Sequence, residues 1–145
     1  FFLRAESTYN VASEIDRLKS SGGNGELFMK SYGGISLHNQ SHGESFMAIM
    51  KNRFSGHGLY ILDEPEAALS PSRQMAMLAL MKRLVDQDSQ FIISTHSPIL
   101  MAYPEGEIIE LDETGFRSTP YKETTHYRLT NYFLNNTEQM LNELM

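Results

Sequence analysis

The 145 residues carry 12 Lys and Arg against 18 Asp and Glu, a formal net charge of −6, with 41% apolar and 21% charged residues. That is the mix of one ordinary globular domain, and its acidic balance argues against a chain built mainly to grip nucleic-acid phosphates; nucleic acid stays possible but is not indicated. No cysteine is present, which excludes disulfide scaffolds, thiolate metal sites and thiol nucleophiles and suits a cytoplasmic chain.

No apolar run approaches the ~20 residues of a membrane crossing, and Phe1-Phe2-Leu3 meets Arg4 and Glu6 too early for a secretory signal, so a soluble chain is expected. The opening triplet reads as a strand entered midway, and the expectation is a portion of a longer protein. Val11, Ile15 and Leu18 repeat at helical spacing within residues 7–19, and Ser20-Ser21-Gly22-Gly23-Asn24-Gly25 reads as a flexible loop. Neither that cluster nor Gly33-Gly34 leads into the G-x-x-x-x-G-K-[ST] of a phosphate-binding loop.

Ser41-His42-Gly43-Glu44 is an S-x-x-E capping pattern ahead of Phe46, Ile49, Met50 and Phe54, which predicts a helix from about Ser41 to Gly56-His57-Gly58. Leu59-Tyr60-Ile61-Leu62 is a continuous apolar run, which predicts a strand buried on both faces, and Asp63 and Glu64 follow abruptly. Ser70 is placed to cap the next helix with Pro71 at its first position, its apolar face being Met77, Leu78, Met81, Leu84 and Val85. Phe91-Ile92-Ile93 predicts a second buried strand, stopping at Ser94-Thr95-His96-Ser97. Pro98 opens a short helix, residues 107–111 and 116–121 read as strands around Asp112-Glu113-Thr114-Gly115, and residues 126–134 and 138–144 read as helices.

Strand, helix and strand from 59 to 93 form a βαβ unit with parallel strands and a right-handed crossover. Its carboxyl rim should gather Asp63, Glu64 and His96, one or two strand spacings of ~4.8 Å apart. Two carboxylates at a strand end repel and lose hydration, which a bound divalent cation offsets; Mg²⁺, an oxygen-seeking ion that keeps waters, is the natural candidate. One carboxylate then holds the ion, the next orients an attacking water as general base, and His96 donates to a phosphate oxygen as charge builds.

Leu59-Tyr60-Ile61-Leu62-Asp63-Glu64-Pro65 resembles the Walker B segment of ABC-type ATPases, and Ser94-Thr95-His96-Ser97 resembles their switch-histidine segment. Gln40-Ser41-His42-Gly43-Glu44 resembles the LSGGQ-type signature, and Ala68-Leu69-Ser70-Pro71 stands where the D-loop belongs. The subgroup most resembled is the soluble AAA/ABC-like predicted ATPases, through residues 2–7, 59–73 and 124–129 as well.

The resemblance implies an α/β, P-loop NTPase-like fold with a mostly parallel sheet flanked by helices, of which residues 1–145 are the C-terminal portion. Its parts would be residues 1–40 (strand, helix and loop), 41–56 (signature helix), 57–121 (Walker B to switch histidine, with closing strands) and 122–145 (C-terminal helices). It implies ATP binding and Mg²⁺-dependent hydrolysis. Asp63 would hold the metal, Glu64 would polarise the water and His96 would sense the γ-phosphate. Ser41, Gly43 and Glu44 would face ATP held by a second protomer in a head-to-tail homodimer, where a helix amino end favours anions. Walker A would lie upstream of Phe1, so the isolated chain should bind ATP poorly. Arg4 or Glu6 would stand near the family's Q-loop. The signature departs from the common pattern at Gln40, His42 and Glu44, and the D-loop carries Ser70 in place of Asp, which bears on communication between the two sites.

Other readings stand beside this one. Asp-Glu-Pro is also a plain strand-to-helix turn, and Ser41 with Glu44 a plain cap. His38 and His42 share the spacing of a helical metal pair but lack a third ligand, and His38, His57 and His126 read as solvent-exposed. The Met-rich stretch 75–81 reads as core filling. Rival functions are a Mg²⁺-dependent nuclease using Asp63, Glu64 and Glu66, and a non-catalytic nucleotide-gated interaction module. A transporter ATPase is less favoured, since no coupling surface is evident.

Overall fold

A computed structural model of the protein describes residues 1–7, Ser13, Glu14, Arg17, 41–113 and 115–145. Ser13, Glu14 and Arg17 are helical, while the rest of the predicted first helix, the Gly/Ser loop, Gly33-Gly34, His38 and Gln40 lie outside the described residues. The chain divides into two compact units, Phe1–Thr95 and His96–Met145.

In the first unit, among the described residues, Leu59–Asp63 (β2) is the middle strand of three, flanked by Phe2–Arg4 (β1) and Gln90–Ser94 (β3) and parallel to both. Helix α1, His42–Arg53, precedes β2, and helix α2, Pro71–Val85, is the crossover from β2 to β3. Both begin as their residues dictate. Ser41 is the N-cap of α1; Ser70 caps α2, its hydroxyl accepting from the Arg73 amide, with Pro71 at a position whose missing N–H costs nothing. Phe46, Ile49, Met50, Met77, Leu80, Met81 and Leu84 are buried together with Leu3, Tyr60 and Leu62. Each large side chain so buried stabilises the fold by ~1.5–3 kcal/mol relative to exposure. Leu80 and Gln74 join the predicted face of α2, and the Gln74 amide donates to the Leu69 carbonyl at 2.9 Å. Phe54 stacks on Tyr60 with ring centres 4.0 Å apart, and the Tyr60 hydroxyl bonds both the amide and the carbonyl of Ser55 at 2.7 Å.

The expectation that the strands are buried on both faces is corrected. Side chains alternate across a strand, and α1 and α2 pack together on the face of Leu3, Tyr60 and Leu62, leaving Phe2, Leu59, Ile61 and Ile92 exposed on the other. A continuous apolar run does not reveal what covers each face.

The second unit opens with His96 and a short helix, Pro98–Met101 (α3), capped by the Ser97 hydroxyl. Strands Ile109–Asp112 (β4) and Gly115–Ser118 (β5) form an antiparallel hairpin, near the predicted positions. Gly115 takes φ 118°, which L side chains rarely adopt, at the point where the chain turns back. Helices Thr125–Asn135 (α4) and Thr137–Leu144 (α5) close the unit. The start of α4 is firmly tied: the buried Thr124 hydroxyl donates to the Tyr121 carbonyl at 2.8 Å and accepts from the Tyr127 amide, and the Thr125 amide donates to Glu110 at 2.9 Å.

Candidate functional site

Parallel register brings three strand ends level, with Arg4 of β1 and Ser94 of β3 on either side of Asp63. Arg4 Nε donates to Asp63 Oδ2 at 2.7 Å, and this carboxylate, by hydrogen bond and charge, raises the Arg4 pKa above its ordinary value. Glu64 carries the ladder one step further, its amide donating to the Ser94 carbonyl at 2.9 Å. It then turns the chain through a left-handed conformation, φ 46° and ψ 52°, into the short 3₁₀ turn Pro65–Ala67. That region costs a residue with a Cβ about 1–2 kcal/mol, so the Glu64 backbone is strained where its exposed carboxylate is presented. Glu66 is engaged otherwise: its carboxylate accepts from the Thr95 hydroxyl at 2.7 Å, which ties the chain beyond β3 to the turn beyond β2.

At the amino end of α1, the Glu44 carboxylate accepts from the Ser41 amide at 2.8 Å and the Ser41 hydroxyl at 2.7 Å. Those two bonds, helped by Arg73, hold its pKa below the usual carboxylate value. Arg73, in the first turn of α2, reaches both partners, donating to Ser41 Oγ at 3.3 Å and pairing with Glu44 at 3.1 Å. Gly43 lies under this cluster, where a Cβ would stand 2.7 Å from the Ala68 carbonyl oxygen. His42 turns aside, with Nε2 3.0 Å from the Ala5 carbonyl oxygen.

His96 is exposed, and its Nδ1 lies 3.0 Å from Nε2 of His126, the rings being 4.9 Å apart and tilted by 36°. The reading of His126 as a solvent-exposed residue is therefore corrected, since it is half-buried against another imidazole. His57 is exposed as expected, 3.6 Å from Asp88. Asp63 and Glu64 belong to the first unit and His96 opens the second.

The donor set at the end of β2 is carboxylate oxygen, which fits Mg²⁺. Among the described residues no group of three or more His, Asp or Glu is gathered so as to hold a metal ion by itself. Mg²⁺ commonly takes only one or two protein carboxylates and completes its shell with waters and substrate phosphates. Arg73, Arg4 and His126 are contacts that sequence reasoning missed or placed loosely. An Arg three residues after a helix cap gives no sign of the second helix it will reach.

Parallel strands joined by a crossover helix, with an acidic pair at the carboxyl end of the middle one, define the class of α/β domains that take ligands outside that edge of the sheet. The AAA ATPase domain model matches residues 10–101, more than half of the chain, and the chain belongs to that family. Membership assigns ATP binding and hydrolysis in general terms. No curated protein and no solved structure matches the chain. Among the described residues no helix is long and apolar enough to cross a membrane.

Proposed function

We propose that the natural full-length protein binds ATP and hydrolyses it with Mg²⁺ in the manner of an ABC-type ATPase, two copies meeting head to tail. The observation that carries this reading is the position of Asp63 and Glu64 at the end of the central parallel strand of a chain in an ATPase family. When bound, Mg²⁺ would neutralise phosphate charge, with Asp63 as its protein ligand.

Glu64 takes the proton of the attacking water. Its left-handed backbone and exposed side chain suit a base that reaches outward from the sheet. His96, directly after Thr95 in the chain, donates a hydrogen bond to a γ-phosphate oxygen. Ser41, Gly43 and Glu44 present the amino end of α1 to the ATP held by the second copy. The fit of Gly43 against Ala68, in the segment assigned as the D-loop, supports a joint role for the two segments. Ser70 acts there as the cap of α2 rather than as an acidic residue.

The test is Glu64→Gln in the full-length protein. ATP turnover is expected to fall by about 10²- to 10⁴-fold, the usual worth of a general base, with ATP still bound and the dimer trapped. Unchanged turnover overturns the assignment, and DNA cleavage without nucleotide would favour a nuclease instead.

A further inference from the structure

We infer that His126 is a positioning residue for His96, holding that imidazole in the tautomer with its proton on Nε2. The inference rests on the reading of His96 as the group that donates to the γ-phosphate.

The two nitrogens, His96 Nδ1 and His126 Nε2, are 3.0 Å apart on residues 30 positions apart in the chain. Between neutral imidazoles that line holds one proton, so one nitrogen donates and the other accepts. If His126 donates, the Nδ1 lone pair of His96 is occupied and its proton sits on Nε2, the ring nitrogen farther from the backbone. That nitrogen is then a donor, as a phosphate oxygen requires. If His96 donates instead, a neutral ring presents a lone pair at Nε2 and repels the same oxygen. Only the first arrangement lets a neutral His96 perform its assigned task.

The support behind the pair is rigid where the partner is exposed. His126 is in the first turn of α4, between Thr125, whose amide is held by Glu110, and Tyr127, whose amide is held by the buried Thr124 cap. His96 is exposed in the short stretch before α3. The tethered ring is therefore placed to set the direction of the exposed one. Hydrogen-bond partners of metal-bound histidines play this part, and their loss costs about 10- to 100-fold.

The test uses the full-length protein with ¹⁵N-labelled histidine, at a pH above the ordinary imidazole range, and three variants. In the parent protein the His96 nitrogens should report a proton on Nε2. In His126→Phe, which keeps a ring but no donor, that signature should give way to a mixture, and kcat should fall roughly tenfold with little change in the KM for ATP. His126→Gln, whose amide nitrogen can take the place of Nε2, should restore both. A proton on Nδ1 of His96 in the parent, or His126→Phe moving neither spectrum nor rate while His96→Ala slows turnover, overturns the inference alone. If His96→Ala leaves turnover unchanged, the catalytic reading of His96 fails first, and the role of His126 falls with it.

Discussion

Arg4 and Asp63 close the carboxyl end of the first two strands with a 2.7 Å ion pair, so the carboxylate proposed to hold a cation already has one on the protein. The pair is partly solvated, with side-chain exposures of 53% and 26%, so water and salt screen it. Arg4→Gln should thus lower stability to urea only slightly, a difference that shrinks in high salt. It should also lower the Mg²⁺ concentration needed for half-maximal ATP binding, because a competing cation is gone. A higher requirement would mean that Arg4 helps to hold the nucleotide rather than compete with the metal.

Glu64 allows a separation of structure from chemistry. Its φ of 46° is costly for a side chain with a Cβ, whereas glycine adopts it freely and loses more backbone entropy on folding. These effects oppose each other, so Glu64→Gly should stay within ~1 kcal/mol of the parent in denaturant stability while losing turnover as fully as Glu64→Gln. Glu64→Val, β-branched in a left-handed position, should destabilise by more than ~1 kcal/mol. Equal stabilities for the Gly and Val variants would show that the turn relaxes.

Much of this arrangement was legible in the residues because it is written locally. Ser41 and Ser70 announce helix starts by the chemistry of an N-cap, and an apolar run cut off by Asp63 announces a strand end. Exposure of Leu59, Ile61 and Ile92 was not legible, since a strand's own pattern records apolar character and not the helix that covers it. The pairing of His96 with His126 was equally hidden, because a turn, a hairpin and a helix cap together decide that two residues 30 apart will meet. Arg73 joins Ser41 and Glu44 for the same reason, across two helices. The roles proposed for Asp63, Glu64 and His96 were expected from the rim of the βαβ unit and then from the resemblance, and the structure puts the first two at the end of β2.

Gly43 sets two effects of opposite sign against one another. Alanine in a helix gains about 1 kcal/mol over glycine, but its Cβ here would stand 2.7 Å from the backbone oxygen of Ala68 and from Arg73 Nη1. The guanidinium can swing away, while the carbonyl moves only if the segment before α2 moves. Overpacking of that kind costs ~1–3 kcal/mol, so the net change for Gly43→Ala in thermal or urea unfolding should be destabilising. Adding Arg73→Ala should not restore stability. A more stable Gly43→Ala variant would show that Ala68 yields and that the two segments are not closely fitted.

Glu110 makes the second unit sensitive to acid. Its carboxylate accepts from the Thr125 amide at the positive end of α4 and pairs with Arg117 across the hairpin. The Thr125 amide first, then Thr119 and Arg117, lower its pKa from 4.5 to about 2. A depressed folded-state value means that the unfolded chain binds the proton more readily. The contribution is therefore complete above the ordinary value of 4.5 and is lost as pH falls towards about 2. Glu110→Gln should melt below the parent protein at neutral pH, and the gap should close as pH is lowered through that window. A gap that stays constant down to pH ~2 would show that the charge on Glu110 does not support the start of α4, and that the loss comes from packing alone.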